Sequence, residues 1–240
     1  MPGEGASAAE RPPVDPPGMD VPGGSPLRFT LRDGSPVVVR PILPEDKERL
    51  VAGFARLSEE SRYRRFGTPI RRLSEEQLRS LTEVDYDSHM AWVALDPTGP
   101  GEPGLGVARY VRLPAEPSVA EAAVTVVDSH QGLGLGSILV GILAVSAVAH
   151  GITSFRAYVL AENQAVLELL RDLGARPHAD EGPLLRVDVP IPSDPTQLPD
   201  TPTGRVLRAV ASRMIPPFDL RYPGLGSPPG RPGPDAPGAV

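Results

Sequence analysis

Three glycines stand at alternate positions in the segment Gln131-Gly132-Leu133-Gly134-Leu135-Gly136, which Ser137 follows. Because glycine has no β-carbon, the backbone N–H groups of such a loop can converge on one anion. The loop joins a β-branched strand pattern to a long apolar helix pattern, and a helix start adds unpaired N–H donors and a positive dipole end. The segment therefore predicts a pyrophosphate site, with a loop that merely turns the chain as the alternative.

The spacing of this loop does not fit two familiar phosphate-binding motifs. A P-loop requires Gly-Lys-Ser/Thr, whereas Gly136 is followed directly by Ser137. A dinucleotide-binding fingerprint requires a third glycine three residues after the second, where Ser137 follows Gly134 and Leu139 follows Gly136. It also requires an acidic residue about 20 positions further on, which neither Ile152 nor its neighbours supply.

The elements that must position this loop follow from the apolar patterns on either side of it. We predict strands at 37–42, 90–95, 105–113, 119–127, 155–160 and 184–189. Helices are predicted after Pro44, after the capping residues Ser58 and Ser74, after the glycine loop, and from Asn163. The resulting order, βα(α)βββαβαβ, favours an α/β (α+β) fold with a mixed sheet and helices on both faces.

The loop pattern Gln-x-x-Gly-x-Gly follows a strand, and after the next strand Asn163 opens the next helix. This arrangement resembles the GNAT superfamily of N-acetyltransferases. The resemblance implies a mostly antiparallel mixed sheet whose central parallel strands splay apart to admit coenzyme A. It implies that acetyl-CoA is the co-substrate. The residues it assigns to the coenzyme are Val124, Thr125 and Val126 for the pantetheine arm, Gln131, Gly132, Leu133, Gly134, Leu135, Gly136 and Ser137 for the pyrophosphate, and Asn163 opposite the arm.

Other segments are similar to the catalytic domain of Pat-type bacterial protein lysine acetyltransferases. They are 57–66 (LSEESRYRRF), 84–87 together with 89–91, 106–110, 120–121, and 160–163 (LAEN). This similarity implies that the acceptor is a protein lysine, and that the partner is an acyl-CoA synthetase. Such proteins often carry a cyclic-nucleotide or synthetase-like domain, for which the 36 residues before the first predicted strand are too few.

Glu121 is the candidate general base. It stands in a strand among Val119, Ala120, Ala122 and Ala123, where a charge is out of place, and it aligns with the glutamate that the Pat-type similarity implies. A lysine with a pKa of about 10.4 is neutral only about 0.04% of the time at pH 7. A carboxylate that takes the proton as attack proceeds removes that deficit. The alternative is a solvated glutamate near the start of a strand.

The leaving thiolate has no obvious acid. Many members of the superfamily carry a tyrosine seven residues after the helix-opening asparagine, where this chain has Leu170. Tyr158 is a weak substitute and is expected to be a core or rim aromatic. Solvent can serve, because a thiol has a pKa of only about 8.5.

Several charged residues near these motifs have two interpretations. Asp85, Asp87 and His89 either attract a cationic lysine or cap the loop before the next strand. The arginines at 62, 64 and 65 meet an acidic protein or the 3′-phosphate of the coenzyme, or form a solvated face. No spacing of His or carboxylate residues predicts a metal site.

Proline sets the predicted domain limits, since 7 of the 31 prolines lie in residues 1–26 and 13 in residues 190–240. We predict a disordered segment at 1–36, a catalytic domain at 37–190, and a largely disordered tail at 191–240 with a short helix at 203–215. The net charge is −6 with both signs interspersed, which argues against nucleic acid, and cysteine is absent. The start lacks a secretory pattern and no run reaches about 20 apolar residues, so we expect a cytoplasmic protein with no membrane contact.

The sequence therefore favours an acetyl-CoA-dependent enzyme that acetylates a protein lysine by direct attack of the amine on the thioester. Two alternatives stay open. One is transfer to a small-molecule amine, and the other is a domain that binds acetyl-CoA and regulates without turnover. An open, acidic acceptor cleft favours the protein, whereas a closed pocket favours the metabolite.

Overall fold

A computed structural model of the protein describes residues 26–180 and 182–214 and contains an eight-stranded sheet. The strands are β1 Leu27–Thr30, β2 Pro36–Pro41, β3 His89–Leu95, β4 Gly104–Leu113, β5 Glu116–Val126, β6 Ser154–Leu160, β7 Arg176–Ala179 and β8 Leu184–Pro190. Their order across the sheet is β1-β2-β3-β4-β5-β6-β8-β7. Neighbours are antiparallel except β5 and β6, which are parallel, so the predicted fold class is confirmed.

The described helices are α1 Lys47–Ala55, α2 Glu59–Phe66, α3 Glu75–Thr82, α4 Leu135–Ala149, α5 Gln164–Asp172 and α6 Pro202–Met214. Two predicted caps are present. Ser58 Oγ accepts a hydrogen bond from Ser61 N at 3.1 Å, and Ser74 and Gln77 form the reciprocal capping box. Among the helices in the described ranges, none combines the length and apolar character needed to cross a membrane.

Helices cover both faces of the sheet, as the alternating side chains of β3 show. Trp92 points to α4, where its indole Nε1 donates to Ser146 Oγ at 3.0 Å. Ala91 and Val93 point the other way and pack with Leu50 of α1. Both faces of this central strand are therefore buried, which explains why it reads as a continuous apolar run.

The N-terminal limit predicted at residue 37 is wrong. Residues 27–30 form β1, which pairs antiparallel with β2, and Leu27 and Phe29 are buried while Arg28 and Thr30 are not. The pattern of residues 27–36 predicts a short extended piece that ends in the turn at Asp33 and Gly34, but the prolines upstream placed this piece outside the predicted domain. The rest of the predicted N-terminal segment, residues 1–25, lies outside the described residues.

The C-terminal limit predicted at residue 190 is also wrong. The expected helix at 203–215 exists as α6, but it packs against α4 and buries Leu207, Val210 and Met214. The domain therefore extends at least to Met214, and residues 215–240 lie outside the described part of the chain. The sequence also missed β7, whose four residues carry no apolar alternation and pair with β8.

Candidate functional site

The central feature of the site is an opening between β5 and β6. Within the described chain the two strands pair at three positions only, Val119 with Ser154, Ala120 with Phe155, and Glu121 with Arg156. Beyond Glu121 the strands part, as the resemblance implies. The opening belongs to a cavity of about 1040 Å³. The predicted site residues that line it are Glu121, Val124, Thr125, Val126, Gln131, Gly132, Gly134, Gly136, Ser137 and Asn163.

The glycine loop has the backbone geometry of an anion cradle. Gly132 and Gly134 have φ angles of 74° and 93°, a conformation that residues with a β-carbon rarely adopt. A β-carbon at Gly132 or Gly136 would meet no atom of the described residues within 4 Å, so these positions face open space within the described part of the chain. The absence of side chains there therefore leaves room for a ligand.

Helix α4 begins inside the predicted loop, at Leu135 rather than after Gly136. Its first hydrogen bond runs from Ile138 N to Gly134 O at 3.1 Å, so the N–H groups of residues 135–137 have no acceptor in the helix. The side chain of Leu135 is fully buried and that of Leu133 packs on the core. These two leucines anchor the loop, and only their main chains are available to a ligand.

Gln131 fastens the loop to its surroundings. Its side-chain amide donates to Val126 O at 3.1 Å, Asp128 Oδ1 at 3.1 Å and Ser61 Oγ at 3.3 Å. Asp128 in turn accepts hydrogen bonds from Ser61 Oγ and from Ser58 N, at 2.7 and 2.9 Å. Burial opposes ionisation of Asp128, but these hydrogen bonds prevail and lower its pKa. The sequence did not reveal this link between α2 and the loop.

Glu121 lies where the two strands begin to part, with its side chain exposed. Arg65 of α2 lines the same cavity. Burial lowers the pKa of the Arg65 guanidinium, and the Glu121 carboxylate partly offsets that effect. Arg65 is therefore partly buried beside the candidate base instead of lying on a solvated face.

A second arginine is buried behind Arg65. Arg109 of β4 donates to Leu81 O and contacts His89 Nε2 at 3.4 Å. Burial, followed by repulsion from Arg65, lowers the pKa of Arg109 to about 9. Both arginines line a smaller cavity of about 80 Å³ between the sheet and helices α1 to α3. The surroundings of Glu121 are thus cationic on this side.

The residues at the far side of the opening divide into ligand-facing and structural ones. Asn163 Oδ1 accepts from Val166 N at 3.4 Å and caps α5, and its side chain also lines the cavity. Position 170 is a leucine buried in the core and therefore supplies no acid, because its side chain has no ionisable group. Tyr158 of β6 is 44% exposed and lines the cavity, which makes it a rim residue.

The acidic residues before β3 serve the loop that precedes it. Asp85 accepts hydrogen bonds from Asp87 N and His89 N, at 2.9 and 2.7 Å, and from Ser88 Oγ. Neither Asp85 nor Asp87 lines the main cavity. Of the two interpretations, loop capping is the one this geometry supports. Among the described residues, no group of three His, Cys, Asp or Glu side chains could hold a metal ion.

Sequence comparisons give the chain its relatives. The acetyltransferase (GNAT) family matches residues 25–175. An acetyltransferase named Pat from Mycolicibacterium smegmatis is 38% identical over 196 residues, which cover 78% of this chain and 58% of that protein. An acetyltransferase from Pseudomonas aeruginosa is 35% identical over 145 residues, which cover 60% of this chain and 77% of that protein. The chain thus spans little more than half the length of the Mycolicibacterium relative.

Two solved structures are similar both in sequence and in fold. The GNAT domain of PAT from S. lividans superimposes with a TM-score of 0.63 at 32% identity, covering 69% of this chain and 96% of that one. A cAMP-binding acyltransferase from Mycobacterium smegmatis has a TM-score of 0.53 at 32% identity, covering 78% of this chain and 56% of that one. The family match begins at residue 25 and so includes β1, in agreement with the corrected N-terminal limit.

Proposed function

This chain belongs to the acetyltransferase (GNAT) family, and from that premise we propose that it transfers the acetyl group of acetyl-CoA to a primary amine. One observation carries the proposal. Glu121 lies at one end of the opening between β5 and β6, and the glycine loop follows β5 at the other end. The five residue steps from Glu121 to Val126 span about 17 Å of extended strand. That length suits an extended arm with a phosphate head and a reactive tip.

The residues present fit this coenzyme. The N–H groups of Gly132 to Ser137 and the dipole of α4 would hold the diphosphate, because no atom of the described chain stands against Gly132 or Gly136. On the edge of β5 that faces away from β4, Val124 and Val126 do not pair with β6, and apart from Val126 O, which accepts from Gln131 Nε2, their main-chain groups are placed to meet the amides of the pantetheine arm. Asn163 lies across the same cavity. The arm would then direct the thioester toward Glu121.

The proposed reaction is direct transfer. The amine nitrogen attacks the thioester carbonyl, a C–N bond forms, and the C–S bond breaks to release the coenzyme thiolate. Glu121 accepts the proton that the amine loses, either directly or through one water. A main-chain N–H near Val126 is the simplest donor to the developing oxyanion. The thiolate takes its proton from solvent, because the leucine at position 170 has no proton to donate and the pKa of a thiol is only about 8.5.

We propose a protein lysine as the acceptor and an acyl-CoA synthetase as the partner. The Pat-type segments support this choice, together with the exposure of Glu121 and Tyr158 at the mouth of the opening, which leaves room for a side chain carried by a macromolecule. Arg65 lines the cleft beside Glu121 and Arg109 lies behind it, so this side of the cleft is cationic and not acidic. They disfavour an ammonium ion near the base, and a neutral amine is the form that attacks.

The test is incubation of the protein with labelled acetyl-CoA, a purified acyl-CoA synthetase, and separately a panel of small amines. Label on a lysine Nε of the synthetase, located by mass spectrometry, would support the proposal. Label only on a small amine would replace the proposed acceptor by a metabolite. Calorimetric binding of acetyl-CoA with no transfer to any amine or protein would favour a regulatory domain. No binding of the coenzyme at all would remove the activity itself.

A further inference from the structure

The turn between β1 and β2 carries an arginine to the glycine loop. Asp33 accepts hydrogen bonds from Ser35 N at 3.0 Å and from Ser35 Oγ at 2.6 Å, and Gly34 has a φ of 89°. Leu31 N donates to Ser35 O at 2.9 Å, which closes the turn. This tight turn fixes Arg32, which precedes Asp33, in its position over the loop.

Arg32 lies against three consecutive residues of the glycine loop. Its main-chain N–H donates to Leu133 O at 3.1 Å, and its guanidinium Nη1 donates to Gly132 O at 3.2 Å. Its Nε lies 3.7 Å from the point where a β-carbon on Gly134 would stand. The guanidinium therefore rests on the loop and lines the main cavity.

The charge of Arg32 has no acidic counterpart in the described chain. None of the ion pairs among residues 26–180 and 182–214 includes it, and its side chain is exposed. A guanidinium has five N–H donors, and one of them serves Gly132 O. Most of the donors are thus available to a ligand in the cavity.

The glycine loop itself supplies no positive side chain, since residues 131–137 contain neither lysine nor arginine. Coenzyme A brings a diphosphate and a 3′-phosphate to this end of the cavity. Arg64 of α2 also lines the cavity, but it pairs with Glu60. Arg32 is consequently the cation best placed to balance the phosphate charge, and a guanidinium suits two phosphate oxygens at once.

We propose that Arg32 is a phosphate ligand of the coenzyme, contributed by the turn between β1 and β2. This inference rests on the proposed function, because it requires coenzyme A in the cavity. It follows that the N-terminal strand pair does more than extend the sheet. The turn closes over the cradle and supplies the side-chain charge that the loop lacks.

Calorimetric titration with coenzyme A tests the inference. Arg32→Gln should weaken binding roughly 10- to 100-fold, the effect expected for a charge-assisted hydrogen bond. Arg79→Gln removes an exposed arginine on α3 and should leave the dissociation constant unchanged. Equal affinities for wild type and Arg32→Gln would overturn the inference and leave the proposed function standing. A wild-type protein that does not bind coenzyme A would remove both.

Ligands that lack the 3′-phosphate, or all the phosphates, show which phosphate group Arg32 binds. Dephospho-coenzyme A lacks the 3′-phosphate, so the penalty of Arg32→Gln should vanish with this ligand if Arg32 holds that group, and persist if Arg32 holds the diphosphate. Acetyl-pantetheine lacks both, so the kcat/KM of its acetyl transfer should be the same in wild type and variant. A fall in kcat/KM with acetyl-pantetheine equal to the fall with acetyl-CoA would mean that Arg32 only shapes the loop, and would overturn the inference.

Discussion

Glu121 of β5 and Arg156 of β6 are the last residues that pair before the two strands separate. Arg156 is committed elsewhere, because it donates to Glu116 Oε1 at 2.7 Å and to Asp188 Oδ1 at 2.8 Å. These two carboxylates raise the pKa of Arg156. Within the described residues the Glu121 carboxylate consequently accepts no hydrogen bond and joins no ion pair, although its partner residue on β6 is a cation.

This arrangement predicts that Glu121→Gln lowers kcat/KM at least about 100-fold while the affinity for acetyl-CoA stays the same. Glutamine keeps the size of the side chain but cannot accept the proton of the amine. Steady-state kinetics and calorimetry on the same samples measure the two quantities. Glu48→Gln, on the exposed side of α1, is the matched control. Wild-type turnover in Glu121→Gln would exclude this residue as the base.

Two glycines with nearly the same φ angle allow the effect on coenzyme binding to be distinguished from the effect of backbone strain. Gly132 in the loop and Gly101 in the turn between β3 and β4 have φ angles of 74° and 72°, and among residues 26–180 and 182–214 no atom lies within 4 Å of a β-carbon placed on either. Replacement by alanine costs each position roughly 1–2 kcal/mol of conformational energy. Gly132→Ala and Gly101→Ala should therefore lose similar stability in urea denaturation.

Only Gly132→Ala should weaken coenzyme binding, about tenfold or more, because its methyl group enters the space reserved for the phosphate. Calorimetry on both variants measures this difference. If Gly101→Ala weakens binding to the same extent, the effect comes from general destabilisation and the cradle loses its support.

The sequence signals behind the proposed site residues are local. Glycine spacing and a charged residue in an apolar strand are visible in a few consecutive residues, and both Gly132 and Glu121 line the cavity. The splay of β5 and β6 was available only through the resemblance, since strand pairing is not encoded in either strand alone.

The residues that the sequence missed reach the site from distant elements. Arg32 stands 100 positions before Gly132, and Asp128 is joined to Ser61 across 67 positions. For Arg65 the sequence left open an acidic protein, the 3′-phosphate or a solvated face, because nothing local shows that α2 turns it toward β5. Long-range packing decides each of these positions, and a single sequence carries no measure of it.

His89 should give the stability of the domain a specific pH dependence. Burial, followed by repulsion from Arg109, lowers the pKa of His89 below 6.5, and Asp85 offsets part of this. The unfolded chain therefore binds a proton near pH 6.5 that the folded protein resists. The contribution of His89 is fully present above about pH 6.5 and is lost as the pH falls toward the folded pKa.

We expect His89→Gln to flatten the fall in the free energy of unfolding between pH 7.5 and 5.5, as measured by urea denaturation. Glutamine can still accept the hydrogen bond from Arg109, so stability at pH 7.5 should change little. His178→Gln, at an exposed position on β7, serves as control and should keep the wild-type slope. An unchanged slope in His89→Gln would show that the acid sensitivity arises elsewhere.

Helix α6 should be an integral part of the catalytic domain. Leu207 and Val210 approach so closely that a β-carbon on Gly141 of α4 would lie 3.4 and 3.3 Å from them. At the other end of the helix the Arg213 guanidinium lies 5.2 Å from the centre of the Phe29 ring, which connects α6 to β1. The helix thus spans α4 and reaches the first strand of the sheet.

Leu207→Ala should lower the free energy of unfolding by about 2–5 kcal/mol, because Leu207 is 4% exposed and its removal leaves a cavity against α4. Val51→Ala, at a position that is 49% exposed on α1, should cost less than about 0.5 kcal/mol. Chemical denaturation of both variants provides the comparison. A version of the chain ending at residue 190 should be less stable than Leu207→Ala, since it loses the whole contact. Wild-type stability in both Leu207→Ala and the chain ending at residue 190 would mean that the domain ends before α6, as the proline-rich sequence around this helix predicts.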